Sequence, residues 1–243
     1  MRNVSKEELN EILESHELWL RGEGGKCADL SNVDLRGADL SNTNLKYADL
    51  IYANLSNVDL SNANLQDANL RYADLTNVDL SNANLKRANL KRANLKRANL
   101  VCADLRYTNL QDANLVCADL RRANLEYVKT NIYTLGYNLA CPEEGSFIGY
   151  KKANECIVKL LILEDSKRSS ATTSKCRCDK AKVLDIENIK TGKKLKEIRS
   201  NYNNNFIYKV GEIVSVDNFD DNRWNECSTG IHFFVNKDNA IDY

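Results

Sequence analysis

Leucine recurs at every fifth position of this chain, from Leu30 to Leu125, without interruption. Asp or Asn precedes each of the twenty leucines, and the residue two positions before is small: fifteen Ala, three Val and two Thr. A period of five fits neither the 3.6-residue turn of an α-helix nor the two-residue alternation of a strand. It suits a chain that turns a corner every five residues. Four steps then close a coil of twenty residues, and successive coils stack.

The coil predicts a role for each position of the repeat. Leucine and the small residue point inward, because close packing leaves room for only a small side chain beside each leucine. The hydroxyl groups of Thr43 and Thr108, which occupy the small position, need a backbone partner in that interior. The Asp or Asn side chain faces outward and is expected to bond backbone groups at the corner.

The repeat resembles the pentapeptide-repeat family, whose consensus is A-(D/N)-L-x-x. It is written here as the sequences ADLSN at 38–42 and ANLKR at 93–97. The resemblance implies a mainly β fold class, with a right-handed quadrilateral β-helix of five coils over residues 27–127. At the usual spacing of β-strands such a solenoid would be about 24 Å long.

Residues 1–26 are predicted to form an N-terminal capping helix. Ser5 and Glu8 have the spacing of a capping box, and apolar residues follow at helical intervals until a glycine-rich stop. An open solenoid end exposes unpaired backbone, so the helix and its Trp19 are expected to cover the first coil. His16 is interpreted as an ordinary helix residue.

Residues 128–243 lose the five-residue period and are predicted to form a separate α+β domain. The predicted strands are 146–150, 156–163, 182–189, 206–210, 212–216 and 231–235, with a helix from Asn236 to the end. Segment 166–182 holds six cations and six hydroxyl residues. It is predicted first as a mobile loop and second as an anion-contacting loop. This part of the chain resembles an uncharacterised domain that follows pentapeptide repeats in phage- and virus-type proteins. The segments that carry the resemblance are CPEEGSFIGYKK, KRSSATTSKCRC and WNECSTGIHFF. The resemblance implies a domain architecture and no activity.

The charge of the repeat region is divided along the sequence, although the net charge of the chain is zero. Residues 28–85 have a net charge of −5 and residues 86–127 a net charge of +5. Six of the bases define what we call the basic collar: Lys86, Arg87, Lys91, Arg92, Lys96 and Arg97. It is the candidate interaction surface. One interpretation is a solvated surface; the other is a docking surface for an anionic partner, with weak polyanion contact.

The sequence favours a cytoplasmic protein with free thiols. It has eight Cys in an otherwise ordinary composition, no apolar run of transmembrane length, and no signal-peptide pattern at its N-terminus. Cys176 and Cys178, taken with Cys141, Cys227 and His232, have poor spacing for zinc. No catalytic, cofactor-binding or metal-binding residue is assigned.

Tyrosines at the second outward position of the repeat are predicted to share faces. Tyr47, Tyr107 and Tyr127 fall on one face, and Tyr52 and Tyr72 stack on the adjacent face. Aromatic side chains beside arginines are typical of binding surfaces, and stacked aromatics also stabilise a sheet face.

These patterns lead to three hypotheses of function. The first is a non-enzymatic protein–protein interaction or scaffold protein, in which the solenoid is a rigid spacer and display surface and the C-terminal domain recognises a protein partner. The second is an enzyme whose site lies in the C-terminal domain near Arg168, Cys178, Cys227 or His232. The third is a DNA-mimicking modulator of a type II topoisomerase, which the divided charge opposes.

Overall fold

The computed structural model describes residues 1–203 and 205–243, and they form two compact units, Met1–Asn138 and Leu139–Tyr243. Both units are mainly β, and each contains a short helix. The boundary between the two units follows Asn138, whereas the sequence pattern places it after residue 127. The pairing of the repeat continues after the pattern has ended, since Asn109 bridges to Lys129 and Asn114 to Leu135. The bridge from Asn114 to Leu135 spans one residue more than the bridge from Asn109 to Lys129, so the phase of the repeat shifts by one residue there.

The first unit begins with strand β1 (Arg2–Asn3) and helix α1 (Lys6–Arg21). Ser5 caps the helix as predicted, because its Oγ accepts a hydrogen bond from the Glu8 N–H at 3.1 Å. The Glu8 carboxylate pairs with Arg2. Strand β1 lies parallel to strand β2 (Val33–Asp34), so the segment before the helix joins the edge of the repeat region.

Through the repeat region, the residue before each leucine bridges in parallel to the residue twenty positions later. The series runs from Asp29 with Asp49 to Asp104 with Asn124. The chain therefore returns to the same place after every four five-residue steps, as the sequence predicts. The leucines from 30 to 120 are buried, none more than 1% exposed, whereas Leu125 is half-buried.

Each five-residue step contains a β-turn that starts at the leucine. The Ala48 N–H, for example, donates to the Leu45 carbonyl at 3.0 Å. The Asp or Asn before the leucine accepts from the backbone N–H two residues on, as Asp29 does from Ser31 at 3.0 Å. Thr43 and Thr108 donate their hydroxyls to leucine carbonyls, at 2.6 and 2.8 Å. The predicted outward and inward roles are thus confirmed.

The third residue of these turns has a positive φ, which the sequence pattern did not reveal. Its φ lies between 55° and 67° in the non-glycine cases from Asn32 to Tyr127. Asn, Asp and Gly tolerate this left-handed conformation, but other residues pay roughly 1–2 kcal/mol for it. Five Tyr, four Arg and two Cys nevertheless occupy the position. Their side chains must therefore either make contacts that offset this conformational cost or be kept for contacts with a partner.

The second unit is built on an antiparallel sheet, seven-stranded over the part of the chain that is described, in the order β10-β7-β4-β3-β11-β6-β5. A separate pair, β8 with β9, lies outside it. The strands are β3 (Phe147–Ala153), β4 (Cys156–Ile162), β5 (Arg168–Ser170), β6 (Lys175–Cys178), β7 (Lys180–Asn188), β8 (Glu197–Arg199), β9 (Ile207–Lys209), β10 (Ile213–Ser215) and β11 (Ile231–Phe234). Helix α2 (Lys237–Asp242) follows, capped by the Asn236 side chain. All six predicted strands and the predicted terminal helix are present, in a unit that is mainly β.

The interpretation of segment 166–182 as a mobile loop is wrong, because the segment contains β5, β6 and the start of β7. Alternate residues of β6, Cys176 and Cys178, enter the core beside Ile231 and Phe233 of β11. The Arg168 guanidinium donates to backbone carbonyls, including that of Gly145 at 2.7 Å. The charges of the segment suggested a solvated loop, but Arg168 and Arg177 bond backbone carbonyls and Lys180 pairs with Asp165.

Within these residues, no helix is long and apolar enough to cross a bilayer. All eight cysteines are free.

Candidate functional site

Two columns of outward side chains run across the turns of the repeat. The first consists of Tyr52, Tyr72, Arg92 and Asp112, each twenty residues from the next. The two tyrosine rings stack with centroids 4.7 Å apart, Arg92 Nη1 donates to the Tyr72 hydroxyl at 3.1 Å, and Arg92 lies 3.4 Å from the Asp112 carboxylate. Hydrogen bonds from Asn131 and Arg92 hold the pKa of Asp112 below its usual value.

The second column contains Tyr47, Asp67, Arg87, Tyr107 and Tyr127. Arg87 pairs with Asp67 at 2.7 Å, and this bond lowers the pKa of Asp67. Tyr107 and Tyr127 stack with centroids 4.9 Å apart. The predicted grouping of the tyrosines on two faces is therefore what the structure shows. The stacking and pairing supply the contacts that offset the left-handed backbone.

The basic collar is not uniform, because two of its six members are already engaged. Arg87 is paired with Asp67 and Arg92 with Asp112. Among the residues described, the other four collar cations have no ion pair: Lys86, Lys91, Lys96 and Arg97. The charge that a partner could use is thus smaller than the sequence suggests.

A cavity of about 560 Å³ lies in the second unit. It opens beside the place where β3 and β11 separate. In the described sheet these strands are joined at the pair Tyr150 and Phe234. Lys151, the next residue on β3, contributes to the lining of the cavity, and so do Ile231 and His232, which come earlier on β11. We call this space the C-terminal cavity. Its lining is Lys151, Lys175, Ser200, Tyr202, Asn203, Phe206, Tyr208, Val216, Asn218, Cys227, Ser228, Thr229, Gly230, Ile231, His232 and Tyr243.

Lys175, from β6, is held in the cavity wall by three groups. Its Nζ lies 3.6 Å from the Cys227 sulfur and 3.4 Å from the Tyr243 hydroxyl, and it stands over the Tyr243 ring. Burial acts to lower the pKa of Lys175, but the negative charge of Glu226 and the contact with Cys227 outweigh burial and raise it. Lys175 is therefore a charged lysine at neutral pH.

His232 is neutral at physiological pH. Burial lowers its pKa to about 4, and the nearby Lys175 and Lys151 act in the same direction, against the opposing effect of the Ser228 carbonyl. The Nε2 atom lies 2.9 Å from that carbonyl oxygen, so the neutral ring donates its N–H there. This bond orients the imidazole at the cavity wall.

Buried Arg177 fixes the loop that closes one side of the cavity. It donates to the carbonyls of Asp220 at 3.1 Å, Thr229 at 2.9 Å and Asn222 at 3.0 Å. Its burial is almost complete, which lowers its pKa. Sequence reasoning missed this role, because an arginine between two cysteines carries no local signal for bonds to residues forty positions away.

The structure separates the cysteines that the sequence considered together. Cys141, Cys176 and Cys178 belong to the core, whereas Cys227 is exposed at the cavity. Burial and the neighbouring acid Asp179 raise the pKa of the Cys178 thiol well above its usual range. Over residues 1–203 and 205–243, no three Cys, His, Asp or Glu side chains are placed to hold a metal ion.

Comparison with known sequences assigns both parts of the chain. Residues 26–62, 63–100 and 88–126 match the profile of pentapeptide repeats, which describes eight copies of the motif. The chain belongs to the pentapeptide-repeat family. Residues 137–240 of this pentapeptide-repeat protein match a family of unknown function (DUF5758). No curated protein matches it.

Solved structures similar to this pentapeptide-repeat protein include other pentapeptide-repeat proteins. Rfr23 from the cyanobacterium Cyanothece 51142 is 30% identical over 51% of this chain and 97% of its own, with a TM-score of 0.44. A pentapeptide-repeat protein of the Arabidopsis thaliana thylakoid lumen is 32% identical over 40% of this chain and 70% of its own, with a TM-score of 0.33. QnrB1, a plasmid-mediated fluoroquinolone resistance protein, is 18% identical over 46% of this chain and 68% of its own, with a TM-score of 0.33.

Proposed function

We propose that this protein is a non-enzymatic interaction or scaffold protein. Residues 27–127 form a right-handed quadrilateral β-helix of five coils, which acts as a rigid spacer and display surface. The observation that carries this proposal is the contrast between the inward and the outward positions of the repeat. The interior is nearly invariant, whereas Tyr, Arg and Cys occupy left-handed outward positions where Asn or Gly would cost less. Stacking within the repeat offsets part of this cost, but Tyr52 and Tyr107 remain 46% and 48% exposed, so their rings are available to a partner.

The C-terminal unit is the recognition domain of this proposal. Its support is the C-terminal cavity, which brings polar and aromatic groups from distant segments into one concave space. The partner of the whole protein is another protein. The four unpaired collar cations add weak contact with polyanions.

We also infer a reducing, cytoplasmic location. Its support is the eight free cysteines. Exposed thiols such as Cys102, Cys117 and Cys227 would be open to oxidation in a secretory compartment.

A second candidate function is an enzyme, which is favoured by one observation: Cys227, His232 and Lys175 line the same cavity. The support is weaker, because the described lining contains no Asp or Glu side chain to orient the imidazole, whose Nε2 bonds a carbonyl instead. Of the other residues considered for catalysis, Cys178 is in the core and Arg168 bonds backbone carbonyls. The topoisomerase hypothesis gains no comparable support, since the collar interrupts the acidic surface.

The test is affinity capture from the native cell, with the full chain as bait and with two variants. One variant replaces Tyr52 and Tyr72 by Ser, and the other replaces Lys151 by Met in the cavity. A scaffold surface predicts a stoichiometric partner that wild type captures and the tyrosine variant loses, with both baits equally folded by circular dichroism. A partner retained equally by the tyrosine variant contradicts display by this column. Loss in the cavity variant alone assigns recognition to the C-terminal unit.

A further inference from the structure

The lining of the C-terminal cavity contains two lysines: Lys175, which contacts Cys227 and Tyr243, and Lys151, which no described ion pair or hydrogen bond engages. Lys151 and Lys175 both face the space, and the lining residues that the structure describes include no Asp or Glu. A smaller neighbouring cavity of about 210 Å³ shares Lys151, Tyr202, His232 and Tyr243 with it and adds Lys152. A concave surface with lysines and without carboxylates attracts negative charge.

Lys151 is the charged residue of the lining that lacks a polar partner in the described chain. Its side chain is half-buried, and in the described chain its ammonium has no ion pair or hydrogen-bond partner. The Tyr202 ring lies 6.0 Å from its Nζ. Removing an ammonium from water without a partner is unfavourable, and the lowered pKa of Lys151, caused by burial and then by Lys175, is a consequence. An anion in the cavity would supply the missing charge.

The remaining walls indicate the shape of that anion. Tyr202, Phe206, Tyr208 and Tyr243 contribute aromatic rings, and Ser228 and Thr229 contribute small polar groups. Aromatic rings in a cavity wall favour contact with a flat apolar group. The volume of about 560 Å³ falls within the range of small-molecule sites, roughly 300–1,000 Å³.

We propose that the C-terminal cavity binds a small organic anion, consisting of a planar ring that carries one carboxylate or phosphate group, with Lys151 as the charge partner of the anionic group. Lys175 adds positive potential, and the neutral His232 ring contributes to the wall beside Lys151. This inference goes beyond the scaffold function and does not depend on it, because the cavity is formed within residues 139–243.

The experiment titrates the full chain with four probes and follows binding by NMR. Benzoate and phenyl phosphate are the anionic probes, benzamide is the neutral isostere of benzoate, and inorganic phosphate is the anion without a ring. We expect benzoate or phenyl phosphate to bind at least tenfold more tightly than benzamide and inorganic phosphate. The tighter of the two identifies the anionic group. Equal affinity for benzoate and benzamide, or no binding of either anion at 10 mM, overturns the proposal.

Variants of Lys151 separate a binding role from a structural one. Lys151→Met is expected to weaken the tighter anion at least tenfold while leaving the unfolding midpoint of the unliganded protein unchanged or higher, because it removes an unpaired ammonium. Lys151→Arg keeps the charge and should retain binding. The control is Lys159→Gln on β4, which lines neither cavity. Unchanged affinity in Lys151→Met, or destabilisation by Lys151→Met and Lys151→Arg alike, overturns the assignment.

Discussion

The Nδ1 atom of His16 accepts a hydrogen bond from the backbone N–H of Ala28 at a distance of 3.0 Å. The imidazole is fully buried and stacks on Trp19, with ring centroids 5.8 Å apart. Trp19 in turn meets Tyr47 edge to face. This residue, which the sequence presents as one more helix position, therefore joins α1 to the first step of the repeat.

The His16 bond predicts a pH dependence of stability. Burial lowers the pKa of His16, although Glu17 acts in the opposite direction. The unfolded chain takes up a proton near pH 6.5, before the folded chain does. Stability of the first unit should therefore be complete above about pH 6.5 and fall as the pH decreases toward the lower folded pKa. His16→Asn keeps an acceptor near the Nδ1 position without titrating. Denaturant unfolding between pH 7.5 and pH 5 should show a smaller loss in this variant, and equal slopes would contradict the prediction.

Alanine substitutions at Gly25 and Gly24 test how tightly the segment after helix α1 packs against the helix. Both have positive φ, +72° and +98°. A Cβ at Gly25 would lie 2.0 Å from the Ser15 carbonyl oxygen, whereas a Cβ at Gly24 would meet nothing within 4 Å. Gly24→Ala should cost about 1–2 kcal/mol from backbone strain alone. Gly25→Ala should cost about 1–3 kcal/mol more, from overpacking against backbone. Equal unfolding free energies of the two variants would show that the helix is free to shift.

Leu80 lies in the middle of the repeat and is fully buried. Leu80→Ala should lower the free energy of unfolding of the first unit by ~2–5 kcal/mol, through lost transfer energy and the cavity left behind. Lys96→Gln, an exposed change in the same region, is the control and should stay within about 0.5 kcal/mol of wild type. A loss below about 1 kcal/mol for Leu80→Ala would mean that the interior collapses around the deletion.

Arg97 and Tyr72 test the cost of the left-handed outward position. Their φ values are both +59°, but Arg97 has no ion pair in the described chain, whereas Tyr72 contacts Tyr52 and Arg92. Arg97→Asn should stabilise the first unit by a few tenths to ~1 kcal/mol, because Asn tolerates this conformation. Tyr72→Asn should be neutral or destabilising, since it gains the same backbone relief and loses the column contacts. Thermal unfolding of both variants is the measurement. Equal stabilisation would show that the stacked column contributes nothing.

The sequence predicts the repeat and not the cavity, for a physical reason. In the repeat, most interactions join residues within five positions of each other or about twenty positions apart, so the regular spacing of Leu and of Asp or Asn records the fold directly. The cavity instead collects Lys151, Lys175 and Tyr243 from separate segments, and no local pattern records their meeting. Charged residues of 166–182 misled the prediction because Arg168 and Arg177 bond backbone carbonyls rather than water.

The last prediction concerns binding of polyanions by the basic collar. Arg87 and Arg92 are held by Asp67 and Asp112, so the attraction of a polyanion rests on Lys86, Lys91, Lys96 and Arg97. Four cations release few counterions, and bound polyanion should be displaced as salt rises toward physiological strength, where the screening length is about 8 Å. We therefore expect weak, sequence-nonspecific retention on heparin at low salt only.

The variant that decides the role of the collar changes those four residues to Gln and should lose the low-salt retention. Its matched control changes four exposed lysines of the second unit, Lys182, Lys193, Lys196 and Lys237, to Gln, which alters the net charge equally. Because both variants carry the same net charge, a difference between them measures clustering and not bulk electrostatics. Equal retention of the two removes the collar as a binding surface. Retention of wild type above physiological salt would instead show that the collar recognises a polyanion strongly, with Arg87 and Arg92 leaving their carboxylates to take part.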